Sequence, residues 1–566
     1  MIETPTIPEP EPQLPNEESN AAACRVKTSL GPVFVLGLAV LFAGITHYSS
    51  SPLRNIIQRQ PLFHCDNNPT GTDSTVFLYI GRLILRGGVP YRDAFDHKGP
   101  LVYLLDALGI AIHGVFGVWL LEILFLSVSA TFAYKIARAF TLQGTALMTA
   151  VVSILWYTAR SDSNFCETWS VPFLLIALYY WIRYLREGFS LSKRATMSVG
   201  FSFGAVLLLK PNLTAIWMLF CLTVLIASIC RGTWRFLVTR ILVFLIGAAI
   251  LVVPILGWLR YTGAWNDFVD QYWVFNRFYC DVAFGMKLRT FLRCFACIPL
   301  ESYFALFAAI GYPILAYRAK NRSDRILFVS LEICLFLSLL LMSMSGRSAR
   351  HYSAPLVAVF LPFLACAFTG ALSESSSAWG KIGKRVFLLI LLVPTLCYDI
   401  PMFRPVRDMT KMAILRRVNP DTDYSKFRRV YGYPYFYEEF DAAEIGDWLK
   451  ENTEPETRIA SFGIGGRIFY WYSDRRCVTK YFYIRDTHLE RGYLPKIVAE
   501  LKEKAPEVFI FQLKGGYPSS LTKQEKSSDS GKVRKIFEMP GEIRDWLDAE
   551  GYRKVFENDA YEVYRK

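Results

Sequence analysis

Charge is scarce in this sequence. Of its 566 residues 20% are Asp, Glu, Lys or Arg, while 53% are hydrophobic and 15% aromatic; average globular chains carry roughly 25% charged residues. A disordered chain is thereby excluded. Cysteine is also sparse, 12 residues scattered along the chain, which excludes a disulfide scaffold. Cys221, Cys230, Cys334, Cys366 and Cys397 lie inside apolar runs and read as small buried apolar side chains. Cys65, Cys166 and Cys280 are expected outside the membrane, where disulfides can form. His64, His97 and His113 have no metal-ligand spacing, and Cys294-Phe-Ala-Cys297 lacks a second pair, so no zinc site is expected. The full GxGxxG spacing is missing as well. Gly463-Ile-Gly-Gly466 reads as a tight strand-to-helix turn, and no soluble nucleotide site or cofactor is expected.

What the chain does have is long uncharged runs. No Asp, Glu, Lys or Arg occurs from Thr28 to Leu53, and a hydrocarbon core of about 30 Å needs roughly 20 apolar residues in a helix. Similar stretches recur at 139–159, 168–182, 195–209, 211–230, 241–259, 302–317, 333–346, 351–373 and 386–398, and one near 117–134 contains only Glu122. The expectation is a multi-span α-helical membrane protein of about eleven spans. Residues 1–27, rich in Pro and Glu near their start, read as a disordered cytoplasmic tail.

Lys plus Arg number 63 against 49 Asp plus Glu, a net charge of +14. Such an excess can mean nucleic acid, but its placement decides otherwise. The alternate short loops at 135–141, 183–194, 231–240, 318–325 and 374–385 hold 16 Lys plus Arg and three acids, and the opposite connections around 160–168, 210 and 347–350 hold four. Basic residues concentrate in cytoplasmic loops. This predicts a plasma (inner) membrane protein with its N-terminus in the cytoplasm, and it removes any need for nucleic acid.

After about residue 400 the composition becomes that of a soluble domain. Residues 401–566 read as a linker and a small extracytoplasmic α/β domain. Helices are expected at Asp441–Lys450 and Leu494–Lys504, strands at Arg458–Phe462, Val478–Tyr483 and Glu507–Gln512, and a hairpin within Tyr552–Tyr564 around Asn558-Asp559.

The external loop 49–116 concentrates the chemistry within the transmembrane part, 28–400. Val76, Phe77, Ile80, Leu83 and Ile84 recur at helical spacing, which predicts a helix lying flat on the membrane with its apolar side towards lipid. Asp73 opens it, as N-cap or as a functional carboxylate, and Gly87-Gly88 with Pro90 ends it. Arg92, Asp93, Asp96, His97 and Lys98 then crowd together before a separate apolar segment, Leu101–Phe116. Charges at a bilayer edge are costly unless solvated or paired, so they are expected to line a wet cavity suited to phosphate. Asp162 reads as a span cap, and Glu122 and Glu167 as either caps or acceptor-path residues. Lys210-Pro-Asn reads as a short hairpin between spans.

These residues carry a resemblance. An Asp opening a helix in the first external loop, a Gly-Gly/Pro break, and the segment Tyr91-x-x-x-x-Asp96-x-Lys98-x-Pro100-Leu101 resemble the glycosyltransferase-C superfamily, in its protein O-mannosyltransferase and lipid A aminoarabinose transferase branch. The resemblance implies a membrane enzyme that moves a sugar from a polyprenyl-phosphate carrier to a lipid, glycan or protein acceptor on the outer face. It implies Asp73 as the acidic residue of the reaction centre and Lys98 as the contact to the carrier phosphate, and Arg347–Tyr352 is similar to a basic and aromatic segment near the donor. The chemistry itself asks for a base, for which Asp73 is the candidate, and for cations that meet the leaving phosphate, Lys98 first and then Arg82, Arg92 or Arg347. Tyr91, Asp93, Asp96, His97 and Tyr352 are candidate acceptor or supporting residues. Two departures stand out. Ser74 replaces a second carboxylate and weakens the case for a divalent cation, and Lys98-Gly99-Pro100 replaces Lys-Pro-Pro. A lipid or glycan flippase and a lipid-linked polysaccharide polymerase or ligase are the alternative readings.

Overall fold

In the computed structural model the described residues are 30–46, 72–158, 164–296, 301–347, 350–374, 377–390, 437–513, 522–526 and 533–566. The N-terminal tail, residues 47–71 with Cys65, Asp162, Cys297 and 391–436 lie outside them.

Helices α1 (Leu30–Thr46), α2 (Thr72–Leu85), α3 (Pro100–Arg138), α4 (Gln143–Thr158), α5 (Cys166–Arg186), α6 (Lys193–Leu207), α7 (Ala215–Cys230) and α8 (Trp234–Tyr261) form the first part of the bundle. Next come α9 (Trp265–Phe268), a π-turn (Val269–Val274) and α10 (Phe275–Tyr279), followed by α11 (Phe284–Ala296), α12 (Glu301–Arg318), α13 (Arg322–Ser343), α14 (Val357–Leu372) and α15 (378–390). Among the described residues α3, α8 and α13 are long and apolar enough to cross a bilayer, and α1, α7, α12 and α14 are largely apolar but shorter. Large apolar side chains on α7 and α8, such as Leu222, Ile226, Leu242 and Ile246, are exposed on the bundle's outside, as lipid-facing positions are. Inside it, small residues let helices touch: a Cβ on Gly200 or Gly247 would collide with the backbone of the partner helix, α8 or α6 respectively.

Local signals set several boundaries. Ser192 caps α6 by accepting from Ala195 N, and Asn321 caps α13 by accepting from Asp324 N. Pro100 stands in the first turn of α3, where its missing N–H is harmless. Gly87, at φ +82°, ends α2 as expected, with Gly88 N donating to Leu83 O.

The run labelled α3 is broken at His113–Gly114, where the backbone leaves the helical region and Gly114 takes φ +58°, so Leu101–Phe116 and the span near 117–134 are separate helical segments, and they pack closely enough that a Cβ on Gly117 would strike Gly109 O. One expectation is corrected. Helix α2 does not turn its apolar side to lipid. Val76, Phe77, Leu78, Ile80 and Leu83 are all buried, because α2 packs on α3 and on the C-terminal domain. Periodicity specifies an apolar face but not what covers it.

The C-terminal domain comprises α16 (Tyr437–Asn452), β1 (Ile459–Phe462), α17 (Gly466–Ser473), α18 (Asp486–Glu490), α19 (Leu494–Lys504), β2 (Val508–Gln512), β3 (Thr522–Lys526), β4 (Val533–Phe537), α20 (Gly541–Ala549), β5 (Arg553–Glu557) and β6 (Tyr561–Arg565). Its main sheet has the order β1-β2-β6-β5, with β1 parallel to β2 and the other pairs antiparallel; β3 and β4 form a separate ribbon. Gly463–Gly466 is the strand-to-helix turn between β1 and α17. Side chains at Gly465 and Gly466 would strike the Tyr561 ring and Phe482 O. The expected strand Val478–Tyr483 is absent: Cys477 makes one isolated bridge to Ile459, and the segment is otherwise irregular. Lys480 O, the Tyr481 ring and the Tyr483 hydroxyl meet the loop that follows α2, and Phe482 stacks on Tyr79 of α2 itself.

Candidate active site

Helix ends converge on one end of the bundle. Asp73 lies in the first turn of α2, Lys98 just before α3, Glu167 in the first turn of α5, and Lys210 between α6 and α7.

The loop after α2 is held almost atom by atom. Tyr91, at φ +70°, is fully buried, and its hydroxyl donates to Lys98 O at 2.7 Å. Gln271, in the π-turn, donates to Tyr91 O at 2.7 Å and accepts from Asp96 N at 3.1 Å. Asn276 donates to His97 O at 2.6 Å. A π-turn inserts one extra residue into a helix and often marks a functional site; here it aims Gln271 at the loop. Gly99 N donates to Leu209 O, and a Cβ on Gly99 would run into Leu208 O. The departure from Lys-Pro-Pro thus has a physical reason: the loop sits flat on the α6–α7 connection and needs the Gly99 N–H.

Within this frame Asp96, His97 and Lys98 form a chain. Asp96 is buried and accepts from the Tyr103 hydroxyl at 2.6 Å and the Tyr483 hydroxyl at 2.8 Å. His97 Nδ1 faces Asp96 at 3.4 Å, and Lys98 Nζ lies 2.9 Å from His97 Nε2. Burial and then Lys98 lower the imidazole to about 4, so it is neutral and its Nε2 accepts from the ammonium. Burial would raise Asp96, but the His97 contact, with Lys98 and Tyr103, holds it well below the usual carboxylate range. Asp96 and His97 are therefore structural partners of Lys98, enclosed rather than open to an acceptor.

Asp73 is half-buried. Burial would raise its carboxyl, yet Lys98, followed by Arg485 and His351, outweighs this and lowers it to about 2. The effect is reciprocal: burial disfavours the Lys98 charge, while Asp73 and then Asp96 raise it above the ordinary lysine value. Arg485 Nη1 stands 3.9 Å from Asp73 Oδ1. Beside them Lys210 pairs with Glu167 and lies 3.9 Å from the centre of the Tyr352 ring. His351 Nε2 is 4.0 Å from Glu167 Oε1, and its ring stacks on Phe165.

Several expected phosphate ligands are placed elsewhere. Arg82 is a correction: its guanidinium bonds Asp474 at 2.5 Å and Trp471 O at 3.0 Å and stacks 3.5 Å over the Trp471 ring, so it anchors the C-terminal domain. Arg92 is another, turned away to Asp93 and Thr262 O. Asp93 is occupied by Arg92 and by Val89 N, which it caps at 2.8 Å. Arg347 stacks at 4.4 Å on Tyr279, whose ring lies 5.3 Å from that of His97, and so stands at the rim. Tyr352 is in the site beside Lys210. Cys166 and Cys280 are free thiols.

Sequence reasoning missed Lys210, Tyr483 and Arg485. Lys210, a lone cation between two apolar spans, carried a signal, since such residues mark functional sites by default. Nothing marked Arg485. Among the described residues no group of three or more His, Cys, Asp and Glu could hold a metal ion.

Residues 57–385 match the family described as "Putative competence-induced protein Ccs4 N-terminal domain". The chain belongs to this family. No curated protein matches the sequence. Among solved structures, the chain is similar to ArnT from Cupriavidus metallidurans bound to undecaprenyl phosphate, with TM-score 0.55 and 12% identity over 95% of this chain and 98% of that one. The apo state of ArnT gives TM-score 0.54 at the same identity and coverage. The archaeal oligosaccharyltransferase AglB from Archaeoglobus fulgidus, in complex with an inhibitory peptide and a dolichol-phosphate, reaches TM-score 0.47 at 11% identity over 91% and 75%, too low a score to bear on the fold. At these identities the likeness is one of fold. The Ccs4-type chain has a largely helical, multi-span membrane fold like that of ArnT, with a C-terminal β-containing region.

Proposed function

We propose that this chain transfers a glycosyl group from a polyprenyl-phosphate carrier to an acceptor on the outer face of the plasma membrane. The observation that carries the reading is geometric: at one end of a helical bundle Asp73, in the first turn of α2, faces Arg485 at 3.9 Å, and the loop before α3 holds the Lys98 ammonium against His97 at 2.9 Å. The bundle has the fold of a protein solved with undecaprenyl phosphate bound.

In this reading the acceptor hydroxyl attacks the anomeric carbon, its proton passes to Asp73, and the bond from that carbon to the phosphate oxygen breaks. The polyprenyl phosphate leaves carrying the negative charge, which Lys98 meets. A carboxylate at about 2 is a weak base while Lys98 is its partner. Once the carrier phosphate engages Lys98, that support is withdrawn and burial makes Asp73 more basic. Donor binding and base activation are then one event. Lys210, Glu167 and Tyr352 form the adjoining wall, and Arg347 the rim.

Membranes holding the chain, supplied with a polyprenyl-phosphate sugar, should release carrier phosphate. Asp73→Asn should lower that turnover by about 10² or more while purified protein still binds the carrier; Lys98→Ala should lose the binding itself. Asp73→Asn protein that kept most of its turnover would remove the carboxylate from the reaction. Mass spectrometry of surface lipids and glycans with and without the chain would identify sugar and acceptor together.

A further inference from the structure

The C-terminal domain is not an appendage beside the site. The loop of 88–99 drives Phe95 into the domain's own apolar core, where it meets Tyr481, His488 and Tyr493, and Phe95 N donates to Lys480 O at 2.8 Å. Three residues on, the Tyr483 hydroxyl donates to Asp96. Arg485 follows, its backbone N–H donating to His488 Nδ1 at 3.0 Å. The segment that carries Arg485 is thus fixed at Tyr483 by Asp96 and at His488 by Phe95, both in the loop that ends in Lys98.

We propose that Arg485 is a second cation for the carrier phosphate, so that the donor site is completed by the C-terminal domain. The inference rests on the polyprenyl-phosphate reading of the site. The guanidinium faces Asp73 at 3.9 Å, and both side chains are partly open, 24% and 19% exposed. Arg485 reaches Asp73 from the C-terminal domain, on the segment that is bonded through Lys480 O and Tyr483 to the loop carrying Lys98. A phosphate entering beside the carboxylate meets an ammonium as a point charge and a guanidinium able to donate two parallel N–H bonds, the geometry that arginine offers to phosphate oxygens. The arrangement also gives the domain a task. A carrier phosphate is fully held only while the domain is docked.

The test uses the full chain in lipid nanodiscs, with a polyprenyl phosphate and the corresponding polyprenol as probes. Arg485→Ala should weaken binding of the phosphate about tenfold or more and leave the alcohol unchanged, and Arg485→Lys should fall between. Equal losses for phosphate and alcohol would reduce Arg485 to a docking residue and overturn the proposal. So would a preference for phosphate that Lys98→Ala abolishes and Arg485→Ala keeps. A wild-type chain indifferent to the phosphate, with Lys98→Ala equally indifferent, would overturn the donor-site reading itself and this proposal with it.

Discussion

At the scale of single residues, the competition at Asp73 is between burial, which favours its neutral form, and the cations around it. The cations win and hold it to about 2. The sign of the pH dependence follows. In the free protein Asp73 is ionised at every pH above about 3, so kcat/KM, which reports the free enzyme, should show no acid limb from this group between pH 4 and 8. In the donor complex the phosphate occupies Lys98, burial gains weight, and protonation moves to higher pH. An acid limb in kcat should therefore lie above any limb in kcat/KM. Coincident limbs in the two profiles would mean that the phosphate does not touch the partner of Asp73. Tyr103 offers a separate measurement. Its hydroxyl donates to the buried Asp96 at 2.6 Å, a bond to a charged group whose loss costs about 1.5–3 kcal/mol. Tyr103→Phe should lower stability by that order in thermal or denaturant unfolding, with donor affinity following as Lys98 loosens.

At the scale of elements, the loop from Gly88 to Pro100 depends on backbone groups more than on side chains. Gly99 has φ −72° and ψ 152°, values that proline adopts readily, so restoring Lys-Pro-Pro looks harmless from dihedrals alone. The surroundings forbid it. Proline would remove the N–H given to Leu209 O and place its Cβ against Leu208 O. Gly99→Pro should lower the melting temperature and weaken polyprenyl-phosphate binding about tenfold or more, roughly the effect of one lost bond with a backbone clash added; unchanged binding would show that Lys98 is not positioned by this contact.

The same contrast separates what was legible in the sequence from what was not. Local signals were readable: Asp73 opening α2, the Gly87-Gly88 stop, the turn at Gly463–Gly466, α19 at Leu494–Lys504 and the β5–β6 hairpin. Partners distant in sequence were not. Arg82 looked like a free cation because its partner Asp474 lies in the C-terminal domain. Val478–Tyr483 has the aromatic, β-prone composition of a strand, yet Phe482 stacks on Tyr79 at 4.2 Å and Tyr483 bonds Asp96, contacts that composition does not encode. Lys210 had a local reading as part of a hairpin and Glu167 was open between span cap and acceptor path, and only packing of α5 against the α6–α7 connection makes them a pair.

At the scale of the whole molecule, the seam between α2 and the C-terminal domain decides whether the site is complete. The ion pair at its edge is a poor candidate for the main support, since the Asp474 side chain is 55% exposed and exposed pairs contribute about 0–1 kcal/mol. The Arg82 stack on buried Trp471, its bond to Trp471 O, and the contact of Tyr79 with Cys477 N at 3.1 Å lie deeper. Asp474→Ala should thus change stability by less than about 1 kcal/mol. Arg82→Ala removes the stack and the carbonyl bond together, and should speed amide exchange in 477–488 and in 88–98 while exchange in α3, α5 and α13 stays as it was. Carrier affinity should fall with it, although Arg82 points away from Asp73, because Tyr483 and Arg485 ride on the loosened segment. Were Arg82 instead a direct phosphate ligand, affinity would drop with no change in exchange at 477–488, and hydrogen exchange read by mass spectrometry distinguishes the two.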